Sequence, residues 1–272
     1  MYVGVYFACA DDGIGRFDRS MLSQQDSMEL FIFGLAKPEK ICGSRDAPDE
    51  LCEWQGVKCN AEGEVEKFEW SDNDENGTGT LVFEFLPWSM KLLRMFTNAL
   101  SGTIQLADLP GKMEAVFLDE NRLTGSLDFD RLPATVRRLG LSANQFTGEI
   151  SLENLPKCFE YLSLSNNQLS GEICLTSLPP ALEHIFVDQN NFQGSLDFTR
   201  LPESIRTMVL SENRFSGTID LGNMPESMGC FDVSTNTLSG TVRVPHGLTS
   251  CFAGNDELTV ERIEIKFARP MF

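Results

Sequence analysis

The sequence is poor in the residues that enzymes commonly use for proton transfer. It has two histidines, His184 and His246, among 272 residues. It also lacks a CxxC pair, a phosphate-binding loop of the GxxxxGK[ST] type and an HExxH motif. Because so few candidates for acid–base or metal-assisted chemistry remain, we expect a protein that is not an enzyme and that needs no cofactor.

Basic residues and long apolar runs are scarce as well. There are 22 Lys and Arg residues against 40 Asp and Glu residues, which gives a net charge of -18. Since binding to nucleic-acid phosphates needs a basic surface, this composition argues against a nucleic-acid partner. No apolar run approaches the roughly 18 residues needed to cross a bilayer, so the sequence predicts no membrane span. Attachment through a partner stays open.

Half of the net charge lies in one segment. Residues 44–84 contain 12 acidic residues and 3 basic ones. This segment is a candidate surface for a basic partner. The simpler alternative is a solvated face that keeps an open edge soluble.

The sequence does contain a repeat with a period of 23 residues. Each unit reads LxxLxLxxNxLxGxIxLxxLPxx, as in FEYLSLSNNQLSGEICLTSLPPA from Phe159 to Ala181. Glycine and proline recur with the same step as asparagine. The asparagines of the repeat are Asn98, Asn121, Asn144, Asn167, Asn190, Asn213 and Asn236.

Each position of the unit has a physical role. The alternation at Leu162 and Leu164 predicts a short strand with one buried face. Asn167 follows where the chain must turn, and its amide can bond to backbone groups that a turn leaves unpaired. Stacked asparagines would form a ladder that links each unit to the next. Gly171 permits backbone conformations that other residues avoid, and Pro179 ends the unit where no amide donor is needed.

This pattern resembles leucine-rich repeats over roughly residues 65–255. The pieces SGTIDL and TGEISL are similar to the plant-type subclass, and SLPPAL and LPESI resemble leucine-rich repeat proteins of protists. One unit cannot bury its own apolar face, so the units must stack. The resemblance implies a mainly β repeat solenoid, a leucine-rich repeat horseshoe with a parallel concave sheet and a small helical N-terminal cap. It also implies protein recognition on that sheet.

Both ends of the chain resemble caps of the same family. The stretch LCEWQGVKCN contains C-x-W-x-G-V-x-C, which is typical of the plant-type N-terminal cap. By this resemblance Cys52 and Cys59 form a disulfide and Asp26–Leu35 form the cap helix. Residues 258–272 are expected to add a closing strand. We therefore predict one continuous domain with an N-terminal segment and cap (1–64), leucine-rich repeats (65–255) and a C-terminal cap (256–272).

The cysteines and the N-terminus leave the compartment open. Four cysteines near the cap suggest an oxidising environment if they pair, whereas those in the repeats are too far apart to pair and should be free thiols. The cap cysteines are Cys9, Cys42, Cys52 and Cys59, and those of the repeats include Cys158, Cys174 and Cys230. Residues 1–10 resemble a signal sequence with a small-x-small cleavage site but have no positively charged start. The free thiols favour an intracellular site over a secreted or cell-surface one.

The segment DNDENG, residues 72–77, matches the first half of a calcium-binding loop. The acid that such a loop needs at its twelfth position is replaced by Phe83. We therefore interpret the segment as an insertion in the first repeat's turn and predict no metal site.

The residues between the buried leucines should point outward and form rows across neighbouring strands. Arg138, Tyr161 and His184 are consecutive in one such row, and Gly140 and Ser163 beside them are expected to leave room for an incoming side chain. Aromatic residues and Arg surrounded by small polar residues are typical of interaction hot spots. The predicted partner-binding residues are Arg138, Tyr161, His184, Phe186, Asp188, Phe117 and Phe96.

Two functions stay open on the sequence alone. The first is a non-catalytic recognition module that binds a protein or peptide, which could be basic, on its concave face. The second is a structural accessory subunit that is fixed in a larger assembly through its caps or edges.

Overall fold

The structure, a computed structural model, describes residues 21–262, without the side chains of residues 74–76. Two helices, α1 (Gln24–Ile32) and α2 (Glu39–Cys42), precede a series of short strands. The signal-like segment with Cys9 lies outside the described residues, as do residues 263–272 of the predicted closing strand.

The strands form two sheets, to which successive segments of each repeat contribute alternately. The first sheet contains, in spatial order, β1 (Val57–Cys59), β2 (Val65–Glu69), β4 (Leu92–Arg94), β6 (Ala115–Phe117), β8 (Arg138–Gly140), β10 (Tyr161–Ser163), β12 (His184–Phe186), β14 (Thr207–Val209), β16 (Cys230–Asp232) and β18 (Thr249–Cys251). The second sheet contains β3 (Asp74–Thr80), β5 (Asn98–Thr103), β7 (Arg122–Gly125), β9 (Gln145–Glu149), β11 (Gln168–Glu172), β13 (Asn191–Gly194), β15 (Arg214–Gly217), β17 (Thr237–Val244) and β19 (Glu257–Arg262).

The apolar positions of the repeat fill the space between the two sheets. Leu162 and Leu164 are both fully buried, as the alternation predicts. Neighbouring strands of the repeats pair in parallel, whereas β1 pairs antiparallel with β2 and so closes the N-terminal edge of the first sheet. The predicted mainly β solenoid of stacked repeats is confirmed.

The repeated asparagines, all buried except the half-buried Asn213, link consecutive turns of the solenoid. The Nδ2 atom of Asn167 donates to the carbonyl oxygens of Leu141 and Leu164, at 3.0 Å each. Its Oδ1 atom accepts from the backbone N–H of Phe146 at 3.0 Å. Leu141 and Phe146 belong to the preceding repeat, so each side chain joins two turns through groups that would otherwise be buried without partners.

The residue before each of these asparagines has a left-handed backbone, which the sequence did not indicate. At Asn166 φ is 54°. This conformation lets two consecutive N–H groups, of Asn166 and Asn167, donate to the same neighbouring repeat, whereas in a strand they would point to opposite sides. The left-handed residues are Asp72, Thr97, Glu120, Ala143, Asn166, Gln189, Glu212 and Thr235.

A substitution at this position should therefore change stability in a predictable direction. Thr235 is β-branched and has φ 52°, a conformation that costs about 1–2 kcal/mol for such residues and that asparagine tolerates better. We expect Thr235→Asn to raise the free energy of unfolding by about 1 kcal/mol in urea titrations. The matched change Asn166→Thr should lower it, and a gain for both variants would contradict the explanation.

The N-terminal cap covers the first repeat with aromatic contacts and one disulfide. Phe31 of α1 packs edge-on against Phe68 and Phe83, with ring centroids 6.2 and 6.0 Å apart. Cys52 and Cys59 form a disulfide. Helix α1 ends at Ile32 rather than at the expected Leu35, because Leu35 forms an antiparallel bridge with Gly79 and closes the edge of the second sheet.

Five described cysteines form no disulfide, and the DNDENG segment lies at an edge of the second sheet. Cys42, Cys158, Cys174, Cys230 and Cys251 are free thiols. The pairing of β3 with β5 shifts between Asp74 and Thr78, so the extra residues of the first repeat form an irregularity at this edge. No group of three or more metal-binding side chains lies among the described side chains, which do not include those of residues 74–76 in this segment.

Candidate functional site

Four aromatic side chains meet on the outer face of the first sheet. The register aligns Arg138, Tyr161 and His184 in one row, as expected from the period. The Tyr161 ring lies 5.8 Å from the ring of Phe186, 6.3 Å from that of His184 and 6.4 Å from that of Phe117. All four rings are partly exposed, although Ile185 between two of them is fully buried. We call Phe117, Tyr161, His184 and Phe186 the aromatic cluster.

The small residues beside this cluster do not leave the expected gap. A Cβ atom at Gly140 would lie 2.8 Å from Cδ1 of Phe117, because that ring leans across Gly140 towards Tyr161. Ser163 is buried, and its hydroxyl oxygen lies 2.5 Å from that of Ser142. The expectation that Gly140 and Ser163 leave room for a partner's side chain is wrong. Glycine instead allows two rings two strands apart to touch.

A hollow of about 600 Å³ opens next to the cluster. It is lined by Arg138, Glu160, Tyr161, Glu183, His184 and Phe186. Glu160 forms an ion pair with Arg137. The carboxylate of Glu183 lies 3.4 Å from Nε of Arg206 and 3.8 Å from Nε2 of His184. The hollow therefore combines aromatic faces with charges of both signs.

Besides Arg138 at its rim, two of the predicted residues lie outside the aromatic cluster. Asp188 follows β12 and accepts a hydrogen bond from the hydroxyl group of Ser165. Phe96 follows β4, where its N–H donates to Ser71 Oγ at 3.1 Å, and its ring contacts no ring of the cluster within residues 21–262. The structure thus brings together five of the seven predicted residues, with Arg138 at the rim.

Charged residues that precede the strands were missed by the sequence reasoning. With Glu66, the second residue of β2, they form cross-strand ion pairs along one border of the sheet: Lys91–Glu66, Arg137–Glu160 and Arg206–Glu183. The hydrogen bond from Lys91 lowers the pKa of Glu66 from its ordinary value. Arg94, on the outer face, lies 5.4 Å from the ring centroid of Phe117 and 3.2 Å from Glu69. Charges of opposite sign at the position before neighbouring strands are a signal that could have revealed this border.

Asp119 lies beside the aromatic cluster, where its surroundings disfavour the charged form of its carboxyl group. Burial raises the pKa of its carboxyl group, despite a hydrogen bond of 2.9 Å from the N–H of Ser142. A carboxyl group whose pKa is higher in the folded than in the unfolded state favours folding at low pH and loses this contribution as the pH rises.

We therefore expect Asp119→Asn to increase stability at neutral pH, because the amide keeps an acceptor for Ser142 and carries no charge. The gain should shrink as the pH falls towards the ordinary aspartate pKa of about 4, where the wild-type carboxyl group becomes protonated. Urea titrations across this pH range test the prediction, with the exposed Asp256→Asn as control. A gain that does not depend on pH would contradict it.

Large exposed apolar side chains lie away from the cluster. In the described part of the chain they are Met21, Trp88 and Val260, which are 81%, 56% and 38% exposed. Trp88 is in the first repeat, and Nζ of Lys112 lies 4.1 Å from its ring centroid. Met21 and Val260 lie near the two ends of the described chain.

Comparisons with known proteins identify the class. A family model described as Leucine Rich Repeat matches residues 158–180. No curated protein sequence gives a significant match. Among residues 21–262, no helix is both long and apolar enough to span a membrane.

Similar solved structures include two plant receptor complexes. One is the ectodomain of the Arabidopsis thaliana membrane receptor kinase GASSHO1/SCHENGEN3 with CASPARIAN STRIP INTEGRITY FACTOR 2, with a TM-score of 0.60 and 20% identity over 81% of this chain and 30% of that one. Another is PEPR1-AtPEP1, with a TM-score of 0.58 and 18% identity over 88% of this chain and 42% of that one. A plant ice-binding protein aligns over 90% of this chain and 98% of its own, with 19% identity, but its TM-score of 0.48 supports no inference.

These likenesses show the fold, and the chain spans less than half of either receptor chain. The repeat match, the stacked parallel strands and the asparagine ladder show that this chain contains a leucine-rich repeat and has a leucine-rich repeat fold.

Proposed function

We propose that this protein is a non-catalytic recognition module that binds a protein or peptide on the outer face of its first sheet, the face expected to be concave. The aromatic cluster carries the proposal. Four partly exposed rings in mutual contact do not contribute to the buried core, and aromatic residues with a neighbouring Arg are typical of binding hot spots.

Two further observations support this proposal. The two receptor structures are complexes with CASPARIAN STRIP INTEGRITY FACTOR 2 and AtPEP1, so this fold supports binding in those proteins. The acidic segment of residues 44–84 would also attract a partner with basic groups. A nucleic-acid partner remains disfavoured by the net charge of -18.

The test is the double variant Tyr161→Ala/Phe186→Ala, measured against a partner identified by affinity purification and mass spectrometry. We expect a loss of about 2 kcal/mol or more in binding free energy, roughly 30-fold in Kd, because truncation removes buried aromatic anchors. Circular dichroism should show an intact fold, since these rings lie outside the core. Cys230→Ser, in the same row and exposed, is the control and should bind like wild type. Equal binding by wild type and the double variant would remove the proposal.

The accessory-subunit alternative has its own supporting observation. The large exposed apolar side chains of the described chain lie near its ends and in the first repeat rather than in the aromatic cluster. An exposed Trp has no role in the core and fits a contact with another subunit. If Trp88→Ala weakens partner binding and the Tyr161→Ala/Phe186→Ala variant does not, the alternative is preferred.

A further inference from the structure

The hollow beside the aromatic cluster has opposite charges on its two sides. Arg138 lies on β8, Tyr161 on β10, and Glu183 immediately before β12. Neighbouring strands are roughly 4.8 Å apart, so the backbones of Arg138 and Glu183 are about 10 Å apart. Tyr161 lies on the strand between these charges, its ring contacts that of Phe186 on β12, and both rings line the hollow.

The two charges are available to a partner. Arg138 is exposed, and its guanidinium group makes no ion pair or hydrogen bond with the described residues; Glu160 pairs with Arg137 instead. Glu183 has only long contacts with Arg206 and His184, of 3.4 and 3.8 Å, and its side chain is 44% exposed. Exposed contacts of this length contribute little to stability, so Glu183 can exchange them for a closer partner.

We propose that this hollow recognises a peptide segment with an acidic side chain for Arg138, an apolar side chain for Tyr161 and Phe186, and a basic side chain for Glu183. This inference rests on the proposed function and specifies the partner's chemistry. In an extended peptide every second side chain points to the same side, so an acid, an apolar residue and a base at alternate positions can face the hollow together.

Segments with charges of one sign fit less well. A segment with only basic residues would place a cation beside the unpaired guanidinium of Arg138. A segment with only acidic residues would face Glu160 and Glu183 on a protein with a net charge of -18. Like charges placed next to each other reduce affinity and exclude such partners.

A peptide library displayed on phage, with a fixed central Phe and random flanking residues, is the probe. It is selected in parallel on wild type and on the Tyr161→Ala/Phe186→Ala variant. We expect wild type to enrich peptides with an acid on one side of the Phe and a base on the other.

A synthetic peptide from the wild-type selection then tests each charge by a double-mutant cycle. Replacing its acid by Gln should weaken binding to wild type about tenfold and leave binding to the Arg138→Gln variant nearly unchanged. Replacing its base by Gln should behave in the same way with Glu183→Gln. Arg122→Gln on the second sheet and Glu203→Gln, both exposed and outside the hollow, are the matched controls and should behave like wild type.

The outcomes separate the two proposals. The enriched peptides could depend on Tyr161 and Phe186 for binding and yet show no charge preference, or carry basic residues alone. Either result overturns this inference and leaves the proposed function standing. A wild-type selection with no enrichment over the double variant overturns both.

Discussion

Replacing Asn167 by alanine is expected to lower the free energy of unfolding by about 3 kcal/mol. The substitution removes the donor that serves the carbonyl oxygens of Leu141 and Leu164 and the acceptor that serves the N–H of Phe146. These backbone groups are buried, so water cannot replace the lost bonds without opening the turn. Denaturant titration followed by circular dichroism measures the loss.

Asn167→Asp tests the donor of the amide group separately from its acceptor. The carboxylate keeps an acceptor for Phe146 but turns an oxygen towards two carbonyl groups, so we expect a loss at least as large as that of Asn167→Ala. Asn154→Ala removes an exposed hydrogen bond to Asp130 and should change stability by less than about 0.5 kcal/mol. If Asn167→Ala behaves like Asn154→Ala, the asparagine ladder does not stabilise the solenoid.

Gly79→Ala is expected to detach the N-terminal cap and to lower the free energy of unfolding by about 4 kcal/mol. Gly79 has φ 125°, and a Cβ atom there would lie 2.7 Å from Cα of Leu35 and closer still to the carbonyl oxygen of Gly34. Both are backbone atoms, which cannot move aside without displacing the segment that follows α1. Strain of about 1–3 kcal/mol in the left-handed region adds to a steric cost of similar size.

The same repeat position offers a matched control. Gly217 also has a positive φ, of 79°, but a Cβ atom there would come no closer than 3.9 Å to a neighbour. Gly217→Ala should therefore cost only the backbone strain, about 1–2 kcal/mol. Hydrogen exchange gives a second measurement, since the bonds from Ala36 N–H to Thr78 and from Thr80 N–H to Gly34 should open in the Gly79 variant alone. Equal losses in the two variants would mean that the cap does not depend on this close approach.

The period of the sequence by itself determined the fold and the alignment of the outer face. Because Leu162 and Leu164 face the core, the equivalent residues of the other repeats face it too. Neighbouring residues in an outward-facing row must therefore be one repeat period apart. The register of Arg138, Tyr161 and His184 follows directly from this rule. The asparagines could likewise be assigned to the turns, because a buried turn needs a side chain that both donates and accepts.

Only the tertiary structure decided how the side chains are arranged within this fold and on its outer face. Alternation tells which face a residue is on, but not in which direction a long side chain leans. Phe117 therefore covers Gly140, where the sequence suggested a gap, and Phe96 stays outside the cluster. The left-handed backbone at Thr235 is imposed by hydrogen bonds to the next repeat against the residue's own preference. The approach of the cap to Gly79 depends on contacts between segments far apart in the chain, which no local pattern encodes.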